Sequence, residues 1–148
     1  MVRHYWGGRD GSQGIGGTLI EEFVMARPSL SASIRRADGL IILDGERRIA
    51  LPSEGLSPEG RDVVVIQAKA HPLGMYLLGQ AVFSLALIRR FHPRSAKSVA
   101  LCTRDDSSLR PLLADFPDIE VVVMPEFQRL RGRRGIKLIP PAPTFPLG

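Results

Sequence analysis

Residues 63–71, VVVIQAKAH, constrain the fold of this chain more than any other stretch. Four apolar β-branched residues in a row follow the turn-rich sequence PSEGLSPEGRD, which predicts a strand buried on both faces. Side chains alternate along a strand, so Gln67, Lys69 and His71 leave it on one face and Ile66, Ala68 and Ala70 on the other. A buried strand that ends in polar side chains is a candidate site. The alternative is that the strand surfaces there and the polar groups are solvated.

Length and composition predict one globular domain with a basic surface. A chain of 148 residues with 44% apolar content can bury one substantial core. Lys and Arg number 20 against 15 Asp and Glu, a bias that suits a polyanion such as nucleic acid. The single cysteine, Cys102, lies in an apolar stretch and is expected to be a buried structural thiol. We expect a cytoplasmic protein without membrane contact, because neither a signal peptide nor a spanning segment is evident.

Residues 1–17 are predicted to form a flexible glycine-rich arm. Its run GGRDGSQGIGG does not fit a phosphate-binding loop, because no strand precedes it and no Gly-Lys-Ser/Thr follows. Tyr5 and Trp6 in this arm either pack on the core or stack on bases.

The sequence TLIEEFVMAR, residues 18–27, is predicted to be the first helix. Thr18 and Glu21 match a capping box, and four apolar side chains form one stripe. Glu21 either caps this helix or binds a ligand, and capping is the simpler interpretation.

Residues 31–51 are predicted to form a β-hairpin that turns at Asp44 and Gly45. Asp38 is disfavoured in the middle of a strand. Either a bulge at Asp38 and Gly39 interrupts the ladder, or the carboxylate has a partner such as a metal.

The second half of the chain predicts a helix over 73–91, a strand over 98–103, a short helix over 107–116 and a strand over 119–124. Strand, helix, strand units of this length are parallel, so the sheet is expected to be mixed. Tyr76, Gln80 and Ser84 recur every four residues and predict a polar stripe along the long helix. Arg89 and Arg90 in its last turn complement the helix dipole or contact phosphate.

Residues 127–148 are predicted to be a tail that is first basic and then proline-rich. The basic part is either solvated or tracks phosphates. Its cations are Arg129, Arg131, Arg133, Arg134 and Lys137.

The predicted order of elements, with Asp38 in the hairpin and Gln67-Ala68-Lys69 at the end of the third strand, resembles the PD-(D/E)XK nuclease superfamily. Its core runs αβββαβ, with a mixed central sheet flanked by helices. The QxK motif is similar to that of Mrr-type endonucleases, and the acid four residues after Gly17 matches their first helix. Holliday-junction resolvases of the superfamily are similar around that helix and around ADGLIIL.

The resemblance, which spans about residues 17–124 within a nuclease-like domain over 18–126, implies a metal site. Asp38 would be the principal ligand of Mg²⁺ or Mn²⁺, assisted by Gln67, the Ala68 carbonyl and Glu21. Lys69 would orient the attacking water and stabilise charge on the phosphate. Gln67 replaces the more common carboxylate, which weakens metal affinity. Glu22 and Asp44 are the alternatives for Glu21 and Asp38.

Two functions of different classes follow. The first is a metal-dependent DNA endonuclease of a restriction, repair or defence system, acting as a homodimer in which His71, Arg89, Arg90 and the basic tail contact DNA. The second is a related fold that has lost catalysis and serves as a DNA-binding or assembly subunit. An unrelated α/β domain, in which Asp38 and Lys69 lie far apart, is the third interpretation.

Overall fold

The computed structural model describes residues 1–8 and 13–128, and in them a six-stranded mixed sheet has helices on both faces. The spatial order of the strands is β3-β1-β2-β4-β5-β6. Their bounds are Thr18–Ala26 (β1), Arg35–Ile42 (β2), Arg48–Ala50 (β3), Asp62–Ala68 (β4), Ser95–Cys102 (β5) and Ile119–Val123 (β6). The helices are Val2–Gly7 (α1) and Met75–Arg89 (α2), with short 3₁₀ helices at Pro52–Glu54 and Arg110–Asp115. The predicted α/β class and mixed sheet are confirmed.

The central strand β4 was correctly predicted to be buried on both faces. Val63 and Val65 pack on the side of Ile88 in α2, whereas Val64 and Ile66 pack on the side of α1. On its two edges β4 pairs antiparallel with β2 and parallel with β5. The parallel β5–β6 pair that the sequence predicted is also present.

Strand β1, Thr18–Ala26, occupies the place of the first helix that the sequence predicted over residues 18–27. Leu19 and Ile20 are both buried, but they face opposite sides of the sheet, as only a strand allows. The apolar side chains that suggested one stripe along a helix belong to the two opposite faces of a strand. Thr18 does not cap a helix; its hydroxyl donates to the carbonyl of Glu46 at 2.6 Å.

The predicted pairing of the two hairpin strands, β2 with β3, is also wrong. The chain turns at Asp44 and Gly45 as expected, but β3 passes beyond β2 and pairs parallel with β1. The antiparallel partners of β2 are β1 and β4. Only a residue without a side chain fits at Gly45 in this turn, because a Cβ there would lie 2.3 Å from the Thr18 hydroxyl.

The first residues form a helix, where we predicted an arm. Val2, Tyr5 and Trp6 of α1 pack against the face of the sheet opposite α2, and the Trp6 indole donates to the Gly17 carbonyl at 2.8 Å. Burial raises the pKa of Tyr5 to about 12. Both rings are half-buried against the core, which favours packing over base stacking. Phe127, assigned to the tail, also packs on this face.

The single cysteine lies in the interior of the molecule. Cys102 is fully buried, and this burial raises the pKa of its thiol, as expected of a structural cysteine. No helix in the described ranges has the length and apolar character needed to cross a bilayer.

An ion-pair cluster closes the end of β4 where the strand begins. The Asp62 carboxylate accepts hydrogen bonds from the Arg94 Nε at 3.0 Å and the Ser95 hydroxyl at 2.7 Å. These bonds lower the pKa of Asp62 from 3.8 to about 2. A depressed native pKa stabilises the fold above pH 3.8, and this contribution is lost as the pH falls towards about 2.

We therefore expect Asp62→Asn to lower the urea midpoint at pH 7, with Asp115→Asn, an exposed acid in the second 3₁₀ helix, as the control. The difference between wild type and Asp62→Asn should shrink as the pH falls through 3.8 towards 2. Urea melts across this range measure it. A difference that stays constant would contradict the assigned role of the carboxylate.

Candidate functional site at the end of strand β4

Asp38 and the end of β4 meet because β2 and β4 are antiparallel. The last registered pair is Gly39 with Ile66, and beyond it the Asp38 carboxylate accepts the backbone N–H of Ala68 at 2.7 Å. The side chain thus continues the hydrogen bonding where the registered backbone pairs stop. The sequence predicted either a bulge at Asp38 or a partner for its carboxylate. The structure shows a partner, and that partner is a backbone amide.

Strand β1 is irregular at the same level. Glu22 lies between the registered pairs Glu21–Gly39 and Phe23–Ala37, which puts it opposite Asp38. Its φ of 53° lies in the left-handed region that non-glycine residues rarely adopt. Phe23 consequently shares a face with Ile20, although regular alternation would separate them. Such local strain costs on the order of 1–3 kcal/mol and tends to occur at functional sites.

Gln67 lies on the face of β4 opposite Ile66, as the alternation predicted, and this face is the one that α2 covers. Its side chain is buried, with 5% of the residue exposed. The amide nitrogen donates to the Ser84 hydroxyl at 2.8 Å and, more weakly, to the Arg36 carbonyl at 3.4 Å. The amide therefore links the end of β4 to the middle of α2 and the start of β2.

Lys69 extends on the same side as Gln67. Its ammonium lies 5.3 Å from the centre of the Tyr76 ring, in the first turn of α2, and its backbone N–H donates to the Leu101 carbonyl. His71 has an exposed side chain, and its carbonyl accepts the N–H of Thr103. Gln67-Ala68-Lys69 and Asp38 are thus together, whereas Glu21 is not.

Glu21 lies on the other face of the sheet. Its carboxylate accepts two hydrogen bonds from the Arg3 guanidinium of α1, at 2.7 and 3.0 Å. These bonds lower the pKa of Glu21, although partial burial opposes the shift. The capping role is wrong, because β1 is a strand. As a metal ligand, Glu21 would have to act from the face opposite Gln67.

The predicted phosphate-contacting arginines differ in their surroundings. Arg89 pairs with Asp118 at 2.7 Å and its charge is already compensated. Arg90 follows the last residue of α2 and lines the groove described next. The basic cluster from Arg129 to Lys137 lies outside the described residues.

A groove of about 930 Å³ lies between α2 and one end of the β1–β2 pair. At this end β1 finishes and β2 begins, on either side of the loop that connects them. Gln67 and Ser84 line it, together with Tyr76 and Gln80, so the predicted polar stripe of α2 faces this groove. Sequence reasoning missed the groove because it depends on β1 being a strand. The adjacent pair Arg35-Arg36, both exposed and both lining it, was the available signal.

The oxygen donors at the end of β4 are compatible with Mg²⁺ or Mn²⁺ and do not form a complete cage. Asp38 provides a carboxylate, Gln67 an amide oxygen and Ala68 a carbonyl, which are the ligand types that hard cations prefer. Within residues 1–8 and 13–128, no three His, Cys, Asp or Glu side chains cluster as a metal site would require. A metal here would therefore keep several waters.

Comparison with known proteins adds no assignment. No family model, curated protein or solved structure matches this chain.

Two substitutions separate the structural role of Asp38 from a chemical one. Asp38→Ala leaves the Ala68 N–H without its partner, which we expect to cost about 1–3 kcal/mol of unfolding free energy. Asp38→Asn keeps an acceptor oxygen and should stay within about 1 kcal/mol of the wild type, because the hydrogen bond persists without its charge. Urea denaturation at pH 7 compares them. Equal loss in both variants would contradict the assigned hydrogen bond.

Proposed function

We propose that this protein is a metal-dependent endonuclease that hydrolyses phosphodiester bonds of DNA. The observation that carries the proposal is the hydrogen bond from the Ala68 amide to the Asp38 carboxylate, which holds an acid against Gln67-Ala68-Lys69. These segments are 30 residues apart in sequence. This proximity favours the proposal over the third interpretation, in which Asp38 and Lys69 would lie far apart.

The order of elements supports the same proposal. Strands β1, β2 and β4 are antiparallel neighbours in the sheet, α2 follows β4, and β5 joins β4 in parallel. The short strand β3 lies between β2 and β4 in sequence and pairs at the edge of the sheet beside β1. With α1 as the first helix and β3 treated as an added edge strand, this order resembles the αβββαβ core of the PD-(D/E)XK superfamily. Since the sequence of α1, VRHYWG, contains no acid, the carboxylate expected from the first helix must come from elsewhere.

In this proposal Glu22 replaces Glu21 as the second carboxylate. Glu22 lies opposite Asp38, it is exposed, and its backbone is strained. Glu21 is engaged by Arg3 on the other face. Glu22 is also the alternative to Glu21 that the sequence analysis left open.

The chemistry divides among the chain's own groups. A bound divalent cation would supply a hydroxide near neutral pH and neutralise phosphate charge. Asp38, the Gln67 amide oxygen and the Ala68 carbonyl would hold that cation. The Lys69 ammonium would donate to a phosphate oxygen and orient the attacking water. We also propose a homodimer, because many members of the superfamily that the chain resembles act as dimers, and a cytoplasmic location.

A non-catalytic DNA-binding subunit is the second candidate, and one observation favours it. The amide of Gln67 is buried and bonded to Ser84, an arrangement that serves packing without any metal. Loss of the carboxylate at this position leaves Asp38 with less negative charge around it, which weakens cation binding.

Cleavage of plasmid, linear and single-stranded DNA in Mg²⁺ or Mn²⁺ tests the proposed activity. We expect Asp38→Asn and Lys69→Ala to lower the rate at least a hundredfold, because each removes a group that acts on the reacting atoms. Asp115→Asn and Lys97→Ala are matched controls, since Lys97 lies near the start of β5, away from Lys69. If the folded wild type binds DNA but cuts nothing in either metal, the nuclease proposal fails and the second candidate replaces it.

A gain-of-binding variant tests the metal site independently of cleavage. We expect Gln67→Glu to increase the rise in melting temperature that Mn²⁺ causes, because a second carboxylate beside Asp38 strengthens binding to the native state. Gln128→Glu adds the same charge outside the site as a control. Thermal unfolding with and without Mn²⁺ measures the effect. A rise no larger in Gln67→Glu than in wild type would mean that no metal binds beside residue 67.

A further inference from the structure

We propose that the groove between α2 and the β1–β2 ends binds an unpaired nucleic-acid strand and leads it to the end of β4. This inference rests on the proposed nuclease function and names its substrate class. The groove differs from an ordinary crevice in its charge, its exposed rings and its floor.

The charge of the groove is entirely positive. Its lining includes Arg35, Arg36 and Arg90 and contains no Asp or Glu. None of the three forms an ion pair within the part of the chain that the structure describes. The crevice around Arg89 and Arg94 is different, because Asp118 lies in it and pairs with Arg89. Uncompensated cations along one groove favour a polyanion.

The wall of the groove carries aromatic rings in the open. Tyr76 and Phe83 both line it, and each is 72% exposed. They are seven positions apart on α2, so they lie about 10 Å apart along the helix axis. That distance is close to three base steps of about 3.4 Å each. Exposed rings beside cations are the features with which proteins bind single strands, because every base offers a face for stacking.

The floor of the groove connects to the candidate site. Gln67 lines the groove and adjoins Ala68, whose amide is bonded to Asp38. The Lys69 ammonium lies over the Tyr76 ring at the same end. A strand stacked on Tyr76 therefore has its backbone within reach of Lys69. Bases within a duplex are covered on both faces by stacking and do not reach the rings unless they are unpaired or flipped out.

A second copy of the chain fits this groove less well. A two-fold contact through the exposed face of α2 would bring the same surface of both copies together. The three arginines of one copy would then approach those of the other with no acid in the lining to compensate them. An anionic strand would neutralise the charges of the three arginines and would cover the two exposed rings at the same time.

Binding in EDTA tests the inference separately from cleavage. Fluorescence anisotropy is measured with a labelled 20-nucleotide DNA strand, the RNA strand of the same sequence and the corresponding DNA duplex. We expect the full chain to bind a single strand at least tenfold more tightly than the duplex. Phe83→Ala should weaken single-strand binding about tenfold, because one stacking ring is lost. The matched control is Phe116→Ala, which removes an exposed ring outside the groove. Arg36→Ala should lower the salt dependence by about one phosphate contact.

The outcomes separate this inference from the nuclease proposal. Equal binding of duplex and single strand, or equal effects of Phe83→Ala and Phe116→Ala, would overturn the groove assignment even if the enzyme cuts DNA. Conversion of a dimer into a monomer by Phe83→Ala, without a change in strand binding, would assign the groove to a second copy instead. The preference between the DNA and RNA strands identifies which nucleic acid the groove takes.

Discussion

Pairing of β4 on both of its edges is the constraint on which the rest of this molecule depends. The strand is held antiparallel to β2 and parallel to β5, and each of its fully buried Val and Ile side chains contributes about 1.5–3 kcal/mol. A slip of one residue would exchange the two faces of the strand. It would carry Gln67 and Lys69 from α2 to the side of α1 and would separate Ala68 from Asp38. The register that builds the core therefore also builds the candidate site.

Asp38 and Gln67 each have a role in the fold in addition to the chemical role that we propose for them. The Asp38 carboxylate completes hydrogen bonding where the registered β2–β4 pairs stop, and the Gln67 amide ties β4 to α2. A carboxylate already bonded through one oxygen keeps its other lone pairs for a cation, whereas a buried amide contributes no charge. The site is consequently well positioned and weakly charged. A partner that brings its own phosphates would supply the missing negative charge around a metal.

The sequence was most informative where burial alone decides structure. The apolar run before Gln67 predicted β4, its alternation and the side on which Lys69 would lie. The pattern around Glu21 led to the wrong prediction of a helix. Leu19 and Ile20 are buried on opposite faces of the strand, and adjacent apolar residues of this kind also occur in the apolar stripe of a helix. The left-handed residue Glu22 then shifts the alternation of β1, a change that no local pattern reveals. The pairing of Glu21 with Arg3 and the groove beside Phe83 both follow from that strand, so neither was predictable once the helix had been assigned.

Crystals grown with Mn²⁺ provide the most direct measurement of the central claim, that the end of β4 beside Asp38 is a metal site. Anomalous scattering would locate the ion without any assay of activity. We expect a peak within coordination distance of the Asp38 carboxylate and the Ala68 carbonyl, and its loss in Asp38→Asn. A wild-type structure with Mn²⁺ bound elsewhere, or with none at this end of β4 at saturating concentration, would contradict it.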